Sequence, residues 1–302
     1  MLPKGFIFLQ RDWLSSNSLL LKHGDSAYLF DSGYVTHAPL LAQLIDTQLG
    51  GQTLDVLINT HLHSDHCGGN ALLQSAYPHL KTWVPSTQQD AVQEWAEDRL
   101  SYQLTGQLCP QFHATGSVAA GRELYIHGLT WVAFASKGHD NDSLIYFQPD
   151  HRLLLSADAL WEDGFSVVFP EFLGGNGFEE VSRTYDLIEG LNPAMVIPGH
   201  GGTFSNVSLA LAKSRQRLDY FQSNPISHAN YAAKVLIKFK LMELQSCRWD
   251  DFFLWCQASP LLNTIHQRFF ITEALDAWVS HLFSSLAHKK ALHISNGVVF
   301  ND

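Results

Sequence analysis

The chain has 302 residues, 46% of them hydrophobic and 12% aromatic, with a formal net charge of −10. That is enough apolar material for one large packed domain, or for one domain with a smaller appendage. No stretch approaches the roughly 18 apolar residues of a membrane span, and four cysteines without a C-x-x-C pair suggest neither a disulfide framework nor a thiolate zinc knuckle.

The opening "MLPKGFIFLQRDW" interrupts its apolar run with Arg11 and Asp12 and lacks a small-residue cleavage site. It therefore does not read as a signal peptide, and a cytoplasmic location without membrane attachment is expected. Charge is unevenly spread. Residues 1–205 carry 9 Lys and Arg against 22 Asp and Glu, whereas residues 206–302 carry 10 against 7. An acidic body attracts cations and repels nucleic acid, which makes RNA a disfavoured partner that the weakly basic tail still leaves open.

Two apolar runs around Gly24-Asp25 predict a β-hairpin over 18–31. Ala38, Leu40, Leu41, Leu44, Ile45 and Leu49 have helical spacing. "TLDVLINT" predicts a buried strand ending at Thr60, with a helix starting near Cys67 and Gly68. "KTWVP" reads as a strand and "STQQDAVQEWAEDRL" as a helix capped by Ser86. Residues 101–120 show little periodicity and read as a loop or small cap. Four strands crowd into 122–158, "GFEEVSRTYDLIEGL" is helical, and "AMVIPGHGG" is a strand ending in a glycine-rich turn. Strands followed by helices, twice over, predict an α/β architecture of the αββα sandwich type over residues 1–205. Beyond Ser205 helices are expected at about 206–222, 228–245, 249–258 and 270–287, with a hairpin about Asn296-Gly297. Residues 206–302 thus read as a mostly helical second subdomain that caps the site.

"NTHLHSDHCGG" places His61, His63, Asp65 and His66 within six positions, at the end of a predicted strand. In extended chain His61 and His63 point to one side and can hold one metal ion, while Asp65 and His66, past the bend, can hold another. Gly68 and Gly69 allow the helix start to approach closely. Imidazole and carboxylate suit Zn²⁺, and Fe or Mn tolerate the same set. Further donors stand at later strand ends: His139 in "ASKGHDNDSL", Asp158 in "LLLSADAL" and His200 in "VIPGHGG". Cys67 beside the loop reads as packing, and His23, His37, His79, His113 and His151 as solvated surface.

In the order, spacing and context of these residues over 18–205, the sequence resembles the metallo-β-lactamase superfamily. The resemblance implies that His61, His63 and His139 bind one of two divalent ions and Asp65, His66 and His200 the other. Asp158 would bridge them, and Asp31 in "LFDSG" would support the metal loop. Asp65 and Asp158 would be the catalytic carboxylates around a metal-bridging hydroxide. His63 stands where flavo-diiron oxygen reductases have Glu, and Asp158 supplies a bridging ligand that class B β-lactamases lack. The pattern is therefore closer to hydroxyacylglutathione hydrolases, lactonases and the nuclease-like group with a helical tail.

The expected activity is hydrolysis of a small ester, thioester or lactone. The alternatives are an RNA endonuclease or phosphodiesterase, and a signalling protein that binds a metabolite with little turnover. Trp161, Phe165, Phe169 and Phe172 are candidates for an apolar substrate pocket. "KSRQR", with Lys213, Arg215 and Arg217, is the best candidate basic patch. A homodimer is left open.

Overall fold

Leu19, Leu20 and Leu21 are consecutive in the chain and all fully buried, which an alternating strand achieves only when both its faces are covered. Leu19 and Leu21 join one apolar core and Leu20 another. Central strands covered on both faces build the main body of the molecule in a computed structural model that describes residues 2–302.

The first half contains β1 (Phe6–Leu9), β2 (Ser18–His23), β3 (Ser26–Phe30), α1 (Ala38–Leu49), β4 (Val56–Ile58), α2 (Ser64–Cys67), α3 (Asn70–Ala76) and β5 (Lys81–Pro85). After these come α4 (Gln89–Glu94), α5 (Tyr102–Thr105) and β6 (Gly116–Val118). Next are β7 (Glu123–Ile126), β8 (Leu129–Ala135), β9 (Leu144–Gln148), β10 (Leu153–Ala157), α6 (Gly177–Leu191), β11 (Met195–Pro198) and α7 (Val207–Ser223). The remainder is α8 (Pro225–Leu244), β12 (Ser246–Arg248), α9 (Trp249–Ala258), α10 (Pro260–Phe269), α11 (Leu275–His288), β13 (Leu292–Ser295) and β14 (Val298–Asn301).

Strands β1 to β6 form one sheet in sequence order, and a second sheet runs β11-β10-β9-β8-β7. Phe30, Val56 and Ile58 of the first meet Trp131, Tyr146 and Leu155 of the second in a shared core. On the outer face of the first sheet, Leu29 and Leu57 pack against Leu41 and Ile45 of α1 and Leu73 of α3. On the outer face of the second, Ile145, Leu154 and Val196 pack against Tyr185 and Ile188 of α6 and Ala210 and Leu218 of α7. The layers are therefore α, β, β, α, as the strand-helix order implies.

Several local expectations are corrected. Ser86 caps nothing: it opens a 3-10 turn, Ser86–Gln88, and α4 ends after six residues where Trp95 takes a left-handed φ of 50°. The helix expected near Cys67 begins at Ser64. Residues 101–120 hold α5 and β6, while β1, β12 and α10 had no distinct signal in the sequence. Helix α7, read from sequence as the start of the tail, lies in the outer layer of the sandwich. The tail's own core begins with α8, where Ala232, Leu236 and Ile237 join Phe252 of α9, Leu261 and Ile265 of α10, and Trp278 and Leu282 of α11. Val167 and Phe172, from the loop after β10, enter that same core. Among the described residues no helix is long and apolar enough to cross a membrane.

Candidate metal centre

The C-terminal ends of β3, β4, β10 and β11 and the β8–β9 connection converge on one edge of the sandwich. Two of the strand pairs there, β3 with β4 and β10 with β11, are parallel, so their following loops emerge on the same side. His61 and His63 follow β4, His139 follows β8, Asp158 follows β10 and His200 follows β11. Asp65 and His66 sit within α2, the four-residue helix that His63 precedes.

The structure brings these seven side chains into two groups. One donor atom from each of His61, His63 and His139 lies within 4.8 Å of the others, and the same holds for Asp65, His66, Asp158 and His200. Asp158 turns one oxygen towards each group, Oδ1 lying 3.2 Å from His66 Nε2 and Oδ2 3.3 Å from His139 Nε2. His200 Nε2 is 3.2 Å from Asp65 Oδ2, and His139 Nε2 is 2.9 Å from His63 Nδ1.

Imidazole orientation is set from behind. His66 Nδ1 donates to Asp31 Oδ2 at 2.8 Å and His139 Nδ1 donates to the Val167 carbonyl at 2.6 Å, so each ring turns Nε2 to the centre. Asp31 also accepts from the Thr60 amide at 2.8 Å and the Thr60 hydroxyl at 2.7 Å, tying β3 to the metal loop. The centre leaves buried polar atoms that protein groups do not satisfy. His61 Nε2 is enclosed without a hydrogen-bond partner, and His66 Nε2 and Asp158 Oδ1, though 3.2 Å apart, do not meet in hydrogen-bond geometry. Buried groups of this kind cost free energy unless something partners them, and a divalent cation among nitrogens and carboxylates does so. The donor set fits the metals implied by the sequence.

Charge follows from burial and crowding. Burial, with His66 and His63 nearby, holds His61 well below the ordinary imidazole value, and burial with His63 lowers His139 to about 4. Burial also opposes a charge on His66, but Asp158, Asp31 and Asp65 outweigh it and raise that ring well above its usual range. Asp158 sits well below the ordinary carboxylate value because His66, His200 and His139 overcome the burial that opposes ionisation. Asp140, 3.5 Å from His63 Nε2, is raised to about 6 by burial and by Asp142.

Glycines act differently from expectation. A Cβ on Gly68 would stand 2.6 Å from the Val35 amide nitrogen, and one on Gly69 2.4 Å from the Ser32 carbonyl. These residues let α2 and α3 settle onto the segment that follows Asp31, not onto the site. Gly199 does meet the site, since a Cβ there would lie 2.4 Å from Asp158 Oδ1.

The centre opens into a cavity of about 540 Å³. Trp161, Phe165 and Phe169 line it, whereas Phe172 turns away and stacks on His228. The facing wall is α8, through Tyr231, Lys234, Val235, Phe239 and Met242. Trp13 and Gln107 also line the cavity and carried no signal in the sequence. Trp13 stacks on His200 with ring centroids 4.8 Å apart, an arrangement made by two residues at opposite ends of the sandwich sequence. Cys67 is buried against Tyr102 and Cys109. His23, His79, His113 and His151 are exposed, but His37 is half-buried and bonded to Ser15 Oγ at 2.9 Å.

The family profile described as the metallo-beta-lactamase superfamily matches residues 11–200. A hydroxyacylglutathione hydrolase of Dechloromonas aromatica is 27% identical over 194 residues, covering 64% of this chain and 60% of that protein. One from Rhodopseudomonas palustris is 30% identical over 182 residues, covering 58% of each. The chain thus spans about 60% of the length of these curated relatives. A solved metallo-beta-lactamase family protein of Thermus thermophilus superposes over 100% of both chains with a TM-score of 0.58 at 16% identity, a likeness of fold.

Proposed function

We propose that this chain, which belongs to the metallo-β-lactamase superfamily, hydrolyses a small ester, thioester or lactone with two divalent metal ions, zinc first among the candidates. The observation that carries this reading is Asp158, whose two carboxylate oxygens face the two donor groups separately. When bound, such ions supply an activated water near neutral pH and polarise the bond under attack.

The protein's own contribution is placement. His61, His63 and His139 form one ligand set, and Asp65, His66 and His200 the other, with Asp158 shared between them. The bonds from Asp31 to His66 and from Val167 to His139 hold those rings in the tautomer that presents Nε2. Phe165, Phe169, Val235 and Phe239 exclude water from the bound acyl group, which strengthens every electrostatic contact in the site. In this reading the segment from α8 onward, residues 225–302, acts as a cap, with α8 as the roof that limits substrate size.

The curated relatives named hydroxyacylglutathione hydrolase support a thioester among the three substrate classes. The nuclease alternative is weakened, since two of the three residues of its basic patch are paired, Lys213 with Asp163 and Arg215 with Asp186 and Glu189. The test is elemental analysis together with a panel of chromogenic thioester, lactone and bis-phosphodiester substrates. About two metal ions per chain and turnover of the carbonyl substrates are expected, and Asp158→Ala should lose both. Trace metal only, or turnover confined to the phosphodiester, overturns the proposal.

A further inference from the structure

Cys67 follows His66 directly in the chain and is completely buried, yet its sulfur has company. Cys109 Sγ lies 3.7 Å away, Tyr102 Oη 3.1 Å and the His63 carbonyl 3.3 Å. The two cysteines are 42 residues apart, so only the fold brings them together. Cys109 is partly exposed, in a segment, residues 107–114, that carries no regular structure. Just before Cys109 that segment is tied to the start of α2 and to the loop after β3. Ser64 Oγ donates to Gln107 Oε1 at 2.6 Å, and the Leu108 amide donates to Tyr34 Oη at 3.0 Å.

We propose that Cys67 and Cys109 are a modification site, an oxidisable dithiol that closes to a reversible disulfide under peroxide. A disulfide needs the sulfurs at about 2.05 Å. From 3.7 Å that is a modest approach, and residue 109 is not held by a strand or helix that would resist it. Exposure sets the order of events. Cys109 meets the oxidant first; its sulfur attacks the O–O bond, takes one oxygen as sulfenic acid, and one water leaves. The Cys67 sulfur then attacks the Cys109 sulfur, the S–S bond forms, and the hydroxyl departs as a second water. Two thiols and one peroxide thus yield one disulfide and two waters. In a reducing compartment such a bond is transient, and a dithiol reductant reopens it.

The remaining cysteines offer no equivalent. Cys256 is buried in the tail core and Cys247 packs at its edge. Closing the bond would pin the segment bearing Gln107, which lines the cavity, against the helix bearing Asp65 and His66.

The experiment uses the metal-loaded protein treated with a small excess of hydrogen peroxide. Free thiols, counted in denaturant, should fall from four to two, and the intact mass should drop by about 2 Da. Proteolysis should join the peptides containing Cys67 and Cys109, and dithiothreitol should restore all four thiols. The Cys247→Ser/Cys256→Ser double variant should behave identically. Cys109→Ser should form no intramolecular link, and in Cys67→Ser the Cys109 sulfur should stop at sulfenic acid, trapped by dimedone, or oxidise further. A wild-type protein whose Cys109 is oxidised while Cys67 stays free overturns the proposal, as does a link through Cys247 or Cys256. Should Cys67→Ser fail to fold, Cys109→Ser and the double variant decide the matter.

Discussion

The Tyr34 hydroxyl donates to Glu243 Oε2 at 2.5 Å, joining the loop after β3 to helix α8 across 209 residues of sequence. Tyr34 is fully buried and its oxygen also accepts from the Leu108 amide, while the Glu243 carboxylate pairs with Lys240 Nζ. The loop after β3, the segment bearing Gln107 and helix α8 therefore share one buried polar junction. Removing the hydroxyl in Tyr34→Phe leaves the Leu108 N–H and a Glu243 oxygen without their partner. The expected cost is about 1–3 kcal/mol, seen as a lower denaturation midpoint at unchanged denaturant dependence. An unchanged midpoint would mean that this junction adds nothing to the docking of α8.

Asp31 orients His66 without facing the centre itself. Asp31→Ala removes the acceptor for His66 Nδ1 and for the Thr60 amide and hydroxyl. Metal affinity, measured by competition with a chromophoric chelator, should fall about 10- to 100-fold while the fold persists by circular dichroism. Unaltered affinity would place the orientation of His66 in the backbone instead.

Stability should depend on pH through His228. Its Nε2 accepts from the Val168 amide at 3.3 Å, its ring lies against Phe172, Phe178 and Phe221, and burial lowers it to about 4. A ring kept neutral in the folded protein takes up its proton first in the unfolded chain. Stability is therefore whole above the ordinary value near 6.5 and falls as pH drops towards 4, by up to about 3 kcal/mol. In His228→Gln, which cannot titrate, the difference in melting temperature between pH 7 and pH 5 should shrink. An equal slope in both proteins assigns the pH dependence to other groups.

Phe239 contributes to the α8 wall of the cavity and its ring meets Tyr34 edge-on at 5.2 Å. Phe239→Ala should lengthen the cavity and raise kcat/KM for a longer acyl chain relative to a short one, on the order of 10-fold. A ratio that stays constant across chain lengths would remove α8 from substrate selection.

What the sequence determined by itself is the layered sandwich and the identity of the seven clustered His and Asp side chains. Metal donors must be particular residue types, and strands must alternate or run continuously apolar, so both leave local patterns. Helix α8 was expected from the sequence at about 228–245, and its apolar stripe, Tyr231, Val235, Phe239 and Met242, has helical spacing. Which surface that stripe would face was decided by tertiary packing, because a half-buried apolar row serves a core and a cavity wall equally well. The same reason hid the allegiance of α7 to the sandwich and the stop of α4 at Trp95, where a left-handed residue ended a pattern that read as helix. Trp13 on His200, Asp31 beneath His66 and Thr60, and Cys67 against Cys109 are contacts between distant segments. Asp31 had a motif to announce it; the tryptophan and the thiol pair had none, since their partners are chosen by how two sheets and their loops pack, a property no short stretch of chain encodes.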